Sequence, residues 1–202
     1  MTVIAAIRTP TSILMGGDSA QHTNGSIALV AAPKVFQTGD YVFGVAGSPR
    51  LAEILKYEFS PPCKTVNASW DQFLARSFVP KLKAALGAEL GLIDKSGILV
   101  GTKGGGIFEV TGNWFVKQSC EQYAAIGSGG DWALGSFHST RGEPRGRLLK
   151  ALKAAAYFNP FVRPPFTILE LPEAGLVEEF GGSMEELPDR EALFGVDPDD
   201  HG

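Results

Sequence analysis

Apolar residues in the first 46 positions come in short runs, cut every few residues by Pro, Gly, Asn or Asp. Residues 2–8 and 12–17 are two such runs, and Thr9-Pro10-Thr11 between them predicts a hairpin. Asn24-Gly25 is a tight-turn signal. It is followed by strand-like runs over 27–31, 33–36 (containing Lys34) and 41–46, which together predict a meander of antiparallel strands. The period changes at Gly47-Ser48-Pro49, where Ser48 suits an N-cap and Pro49 a first helical residue. Leu51, Ile54 and Leu55 then follow at helical spacing until Ser60-Pro61-Pro62. A longer helix is expected over 69–90, with Trp70, Phe73, Leu74, Phe78, Leu82 and Leu86 on one face and a kink at Pro80. Strands are expected over 98–101, 107–110, 114–118 and 123–126. Helices should follow from the Gly127-Ser128-Gly129-Gly130 stretch to about His138 and over 147–158, ended by Asn159-Pro160. Closing strands fit 166–171 and 176–180.

Strands, two helices, strands, two helices and strands, in that order, predict an α+β chain. Its two antiparallel sheets would pack face to face with a helix pair outside each, a four-layer αββα sandwich. One domain is expected over 1–180, followed by an acidic, poorly ordered tail over 181–202.

Composition removes several function classes. The chain has 202 residues, enough for one substantial core, and a formal net charge of −4, which does not suit nucleic-acid binding. Its apolar runs fall short of the ~20 residues needed to span a bilayer, so no membrane partner is expected. Met1 leads into a strand without a basic leader segment, and Cys63 and Cys120 are few and far apart. Both features fit a reduced, cytoplasmic protein. His22, His138 and His201 have no metal-ligand spacing and are taken as non-catalytic. Gly127-Ser128-Gly129-Gly130 lacks the Lys-Ser/Thr ending of a phosphate loop, and the turn over 102–106 belongs to a hairpin. No metal or other cofactor is therefore expected. Ser19 and Ser128 lack the setting of a serine nucleophile.

Thr2 is the chemically suggestive residue. Removal of Met1 would leave a free α-amine beside a hydroxyl on one residue. Such an amine titrates near ~7.7–8.0, close enough to neutrality to take the hydroxyl proton.

Five stretches then occur in order: the near-terminal threonine strand, Gly16-Gly17-Asp18-Ser19, Pro33-Lys34-Val35-Phe36, Gly44-Val45-Ala46-Gly47-Ser48 and Ala125-Ile126-Gly127-Ser128-Gly129-Gly130. Over about residues 2–172 this layout resembles the N-terminal nucleophile (Ntn) hydrolases, specifically the proteasome β-subunit and the HslV-type peptidase. The resemblance implies the αββα Ntn fold and a threonine-type endopeptidase. It implies Thr2 as nucleophile, Lys34 as the lysine beside its hydroxyl, and Asp18 as that lysine's carboxylate partner. Gly47 would supply an oxyanion-hole N–H, Ser128 would hydrogen-bond around the threonine, and Val45 would line the substrate pocket. It also implies self-association into stacked rings of six or seven, an ATP-dependent unfoldase as partner, and a polypeptide substrate. The chain departs from the family pattern at Asn159, where an aspartate is frequent and a Ser or Thr follows closely. Maturation would rest on aminopeptidase removal of Met1. Two other readings of the same fold are a ring-forming structural subunit with impaired catalysis and a stand-alone Ntn amidohydrolase acting on a small amide.

Overall fold

The computed structural model describes residues 1–23, 26–64, 68–104 and 106–172. The Asn24-Gly25 turn, the strand expected over 176–180 and the tail over 181–202 lie outside them.

The chain begins with β1 (Ile4–Arg8) and β2 (Ser12–Asp18), which pair antiparallel across the Thr9-Pro10 turn. Both strands are buried on both faces, which is why neither shows polar alternation. Val3, Ala5 and Ile7 meet one apolar layer, while Ile4 and Ala6 meet another. The first layer is completed by α4 (Gly130–Ser139) and α5 (Pro144–Phe158), through Phe137, Leu148, Leu152 and Ala155.

A second sheet forms the other half. It takes the order β5 (Val35–Thr38), β6 (Tyr41–Ala46), β7 (Gly97–Thr102), β8 (Gly106–Val110) and β9 (Val116–Gln118). In β6, Tyr41, Phe43 and Val45 face the outer helices, and Val42 and Ala46 face the first sheet. The layer between the sheets joins Ile4, Ile13 and Met15 to Val35, Val42, Leu99 and Ile107. Helix, sheet, sheet and helix therefore stack in four layers, the expected αββα sandwich.

The first five expected strands do not form one meander. β1 and β2 sit in a four-stranded sheet of order β10-β1-β2-β11, where β10 is Tyr123–Ile126 and β11 is Phe166–Pro172. β3 (Ala20–Thr23) and β4 (Ser26–Leu29) pair only with each other, and β5–β6 belong to the second sheet. The reason is non-local: β11 occupies the free edge of β2, with Phe166 opposite Asp18, so the chain leaves that sheet at Ser19.

The expected long helix is subdivided. It comprises α2 (Trp70–Phe73), one π-helical turn over Leu74–Phe78, α3 (Val79–Leu86) and a 3₁₀ stretch over Gly87–Ile93. Pro80 lies in the first turn of α3, where its missing N–H costs little, and the wide turn before it absorbs the mismatch. α1 (Pro49–Glu53) likewise runs into a π turn over Ile54–Glu58. Ser48 does not cap it through its side chain; its N–H donates to Ser96 Oγ at 3.0 Å. The strand expected over 114–118 starts only at Val116. Trp114 has φ 66° in a turn whose N–H donates to Thr111 O at 2.9 Å.

Candidate active site

Strand register alone brings distant residues to Thr2. In the β1–β2 pair Ile4 lies opposite Gly17, so Val3 lies opposite Asp18. In the β1–β10 pair Ile4 lies opposite Ile126, which sets Thr2 against Ser128. In the β5–β6 pair Val35 lies opposite Gly44; one residue earlier, the Val45 N–H donates to Lys34 O at 3.1 Å. Thr2, Asp18 and Lys34 converge where the three ladders end.

The Lys34 ammonium donates to Thr2 Oγ1 at 2.7 Å, to Asp18 Oδ1 at 2.9 Å and to the Ala20 carbonyl. Those three bonds use all of its N–H donors. The Asp18 carboxylate is fully enclosed and also accepts from the Val3 and Ala20 N–H groups, both at 3.1 Å, and from Arg163 N–H at 3.4 Å. Burial pulls the Lys34 pKa below the ordinary lysine range, because a charged amine loses water there; the charge of Asp18 and its hydrogen bond oppose that shift.

Thr2 itself is 5% exposed. Its N–H donates to Ser128 Oγ at 3.2 Å, and its carbonyl accepts from Gly129 N–H at 3.1 Å. Its hydroxyl donates to the Met1 carbonyl at 2.7 Å, so with Met1 attached the proton of Oγ1 is committed to that oxygen. Asn159, at the end of α5, donates from Nδ2 to the Ser128 carbonyl at 2.9 Å.

Two glycines are dictated by this packing. Gly127 has φ 88°, and a Cβ there would stand 2.3 Å from the Thr2 carbonyl oxygen. Gly47 has φ 124°, and a Cβ would meet Ser96 Oγ at 2.4 Å. A side chain at either position would force the backbone to shift. Gly127→Ala should therefore displace Thr2. A loss of about 1–3 kcal/mol of stability is expected, with peptide hydrolysis, where the protein performs it, reduced at least about tenfold. Paired melting and rate measurements check this, and an unchanged rate would count against the tight fit at Thr2.

Thr2, Lys34, Val45 and Gly47 all line one cavity of about 390 Å³; Asp18 is bonded to Lys34, Ser128 to Thr2, and Asn159 to Ser128. Phe36, Val45, Pro49 and Ala52 supply apolar surface, and Glu53, Lys56 and Tyr57 on the first helical segment reach the same space. Those three were not among the residues singled out from the sequence. His22 also lines the cavity, although the sequence set it aside; it packs edge-on to Phe161 at 4.5 Å between ring centroids. Its place on the strand just after Asp18 was the available signal. Among the described residues no group of three His, Cys, Asp or Glu side chains could hold a metal ion. No helix among them is long and apolar enough to cross a membrane.

No known family's sequence profile matches the chain, and no curated protein sequence matches it. Solved structures do. BPH from Thiobacillus denitrificans, in complex with epoxomicin, superposes with a TM-score of 0.70 at 22% identity, covering 85% of this chain and 99% of that one. HslV from Trypanosoma brucei gives 0.65 at 20% identity, covering 84% and 99%. Anbu, an ancestral β-subunit from Yersinia bercovieri, gives 0.62 at 15% identity, covering 84% and 81%.

The chain has the Ntn-hydrolase fold of the proteasome-β and HslV type.

Within that fold the structure brings together Thr2, Asp18, Lys34, Gly47, Ser128 and Asn159, six residues singled out from the sequence for catalysis, with Val45 in the cavity wall. At these identities the likeness speaks for the fold; what the assembled residues do rests on their chemistry.

Proposed function

We propose that the chain is a threonine-type peptidase subunit whose nucleophile is Thr2 once residue 1 is removed. The observation that carries this reading is the Lys34 ammonium, 2.7 Å from Thr2 Oγ1 and 2.9 Å from the enclosed Asp18 carboxylate, on the wall of a peptide-sized cavity.

In this mechanism the freed α-amine takes the Thr2 hydroxyl proton, directly or through a water, as Oγ1 attacks the scissile carbonyl. Lys34 favours the developing alkoxide, and Asp18 keeps Lys34 charged and aimed. The Gly47 N–H stabilises the oxyanion of the tetrahedral intermediate. Collapse breaks the C–N bond, and the ammonium returns its proton to the leaving amine. An ester on Oγ1 remains. A water, deprotonated by the same amine, hydrolyses it to a carboxylate and restores the hydroxyl. Ser128 orients the terminus throughout. The apolar lining at Phe36, Val45, Pro49 and Ala52 favours an apolar substrate side chain before the scissile bond.

By its likeness to HslV and to an ancestral β-subunit, we propose further that the subunit works in the cytoplasm. There it would self-assemble into stacked rings and receive polypeptides from an ATP-dependent unfoldase.

Hydrolysis of fluorogenic peptides by protein lacking Met1, followed against pH, tests this reading. The rate should fall at alkaline pH as Lys34 loses its proton. Because Lys34 titrates low, that fall should come below the pH of an ordinary lysine. Assembled rings without turnover would favour the structural-subunit reading instead.

A further inference from the structure

Asn159 is 8% exposed and is hydrogen-bonded at both ends of its side-chain amide. Its Nδ2 donates to the Ser128 carbonyl at 2.9 Å, and its Oδ1 accepts from Phe161 N–H at 3.0 Å. Its own N–H donates to Ala155 O at 2.9 Å, and its carbonyl accepts from Val162 N–H at 3.1 Å. The two side-chain bonds fix which way the amide points. A backbone N–H needs an acceptor and a backbone carbonyl needs a donor, so only one orientation satisfies both. A carboxylate would satisfy Phe161 but set a negative oxygen against the Ser128 carbonyl. The segment that Asn159 holds is the one whose hydroxyl lies 3.2 Å from Thr2 N.

We infer that Asn159 is a positioning residue that acts on the Thr2 terminus through Ser128, and that this position requires a neutral amide, leaving Asp18 as the one carboxylate among the described residues that is bonded into the cluster. The inference rests on the proposed role of Thr2 and deepens it. An aspartate would do two kinds of harm here: it would break the hold on Ser128 and add negative charge close to the Thr2 amine. The charged and titratable groups around that terminus are otherwise Lys34 and Asp18, with His22 on β3 and Glu53, Lys56 and Tyr57 on the first helical segment lining the same cavity. Asp131, in the first turn of α4, is exposed.

Added negative charge stabilises an ammonium, so the amine would stay protonated to higher pH and serve as a base only there.

The test compares Met1-free wild type, Asn159→Asp and Asn159→Ala. Three readouts apply: acylation of the Thr2 amine by trace acetic anhydride as a function of pH, peptide kcat/KM as a function of pH, and melting. In N159D the amine should label about tenfold more slowly at pH 7 than in wild type, and the acid limb of kcat/KM should move to higher pH. In N159A the labelling profile should match wild type while kcat/KM drops about tenfold, as expected for lost orientation without added charge. The melting deficit of N159D should narrow toward acid pH, where a protonated carboxyl regains a donor for Ser128. Wild-type labelling and kcat/KM in N159D would overturn the inference, as would a labelling shift of equal size in N159A. If N159D does not fold, N159A decides: full kcat/KM in that variant sinks the positioning role. Absence of threonine-dependent turnover in wild type would instead defeat the peptidase reading. The labelling and melting arms would still judge Asn159 in that case.

Discussion

Thr2→Ala should abolish peptide hydrolysis, by on the order of 10⁴-fold or more, while the sandwich stays folded. The hydroxyl is the proposed nucleophile and no neighbour can replace it. Ser128 Oγ sits 3.2 Å from Thr2 N and Ser19 Oγ donates to the Pro165 carbonyl, so neither hydroxyl occupies the place of Oγ1 beside Lys34. The structural loss is small by comparison. Lys34 gives up one of three acceptors and keeps Asp18 and the Ala20 carbonyl. One lost hydrogen bond of this kind is worth about 1–2 kcal/mol, a few degrees in melting temperature for a domain this size. Rates and melting curves of matched preparations measure both. Activity within tenfold of wild type would remove Thr2 from the mechanism.

The second large effect is expected at Asp18. Replacing it with Ala leaves Lys34 enclosed without its counter-charge and strips an acceptor from the N–H groups of Val3, Ala20 and Arg163. Breaking a buried pair by removing one partner costs about 3–5 kcal/mol, so D18A should melt far below wild type. Asp18→Asn keeps the shape and loses less stability, which makes it the better probe of chemistry. In D18N the charge and charge-assisted bond that hold the Lys34 pKa up against burial are gone. Its alkaline limb should therefore move to still lower pH, with kcat reduced on the order of 100-fold or more. The stability effect of Lys34 has the opposite sign to its activity effect. Its folded pKa is depressed, so between that value and the ordinary lysine value the unfolded chain binds more protons. Through that window this group makes the fold more stable as pH rises, while activity falls. Denaturant titrations at two alkaline pH values distinguish the two trends.

The legible parts of the site are those written into local strand pattern. β1 reads as an unbroken apolar run because α4 and α5 cover one face and the second sheet covers the other. Gly16-Gly17-Asp18 ends β2 opposite Val3, and Lys34 enters β5, so both charges were visible at strand ends in the sequence. The separate β3–β4 hairpin was not legible. Its departure from the meander follows from β11 pairing with β2, and no local pattern announces a partner nearly 150 residues away. The π turns at Ile54–Glu58 and Leu74–Phe78 were hidden as well, since they change hydrogen bonding by one residue without disturbing the apolar face.

Cavity walls from the first helical segment were missed for a related reason. Periodicity finds the buried face, here Leu51, Ile54 and Leu55, and treats the rest as solvent-facing. Glu53, Lys56 and Tyr57 are on that other face, which borders the cavity. Asn159 illustrates the converse. Its position after the last long helix was evident, but its meaning changed once both ends of its amide were seen to be bonded.

The central claim is that Thr2 acts with its own α-amine as base. With Met1 attached, that nitrogen is an amide and the hydroxyl donates to the Met1 carbonyl at 2.7 Å. Peptide hydrolysis should therefore be compared between two preparations of the same chain, one keeping Met1 and one beginning at Thr2, each verified by intact mass. Turnover confined to the Thr2-initiated protein is the expected result. Equal turnover in both would contradict the amine's role and, with it, the mechanism.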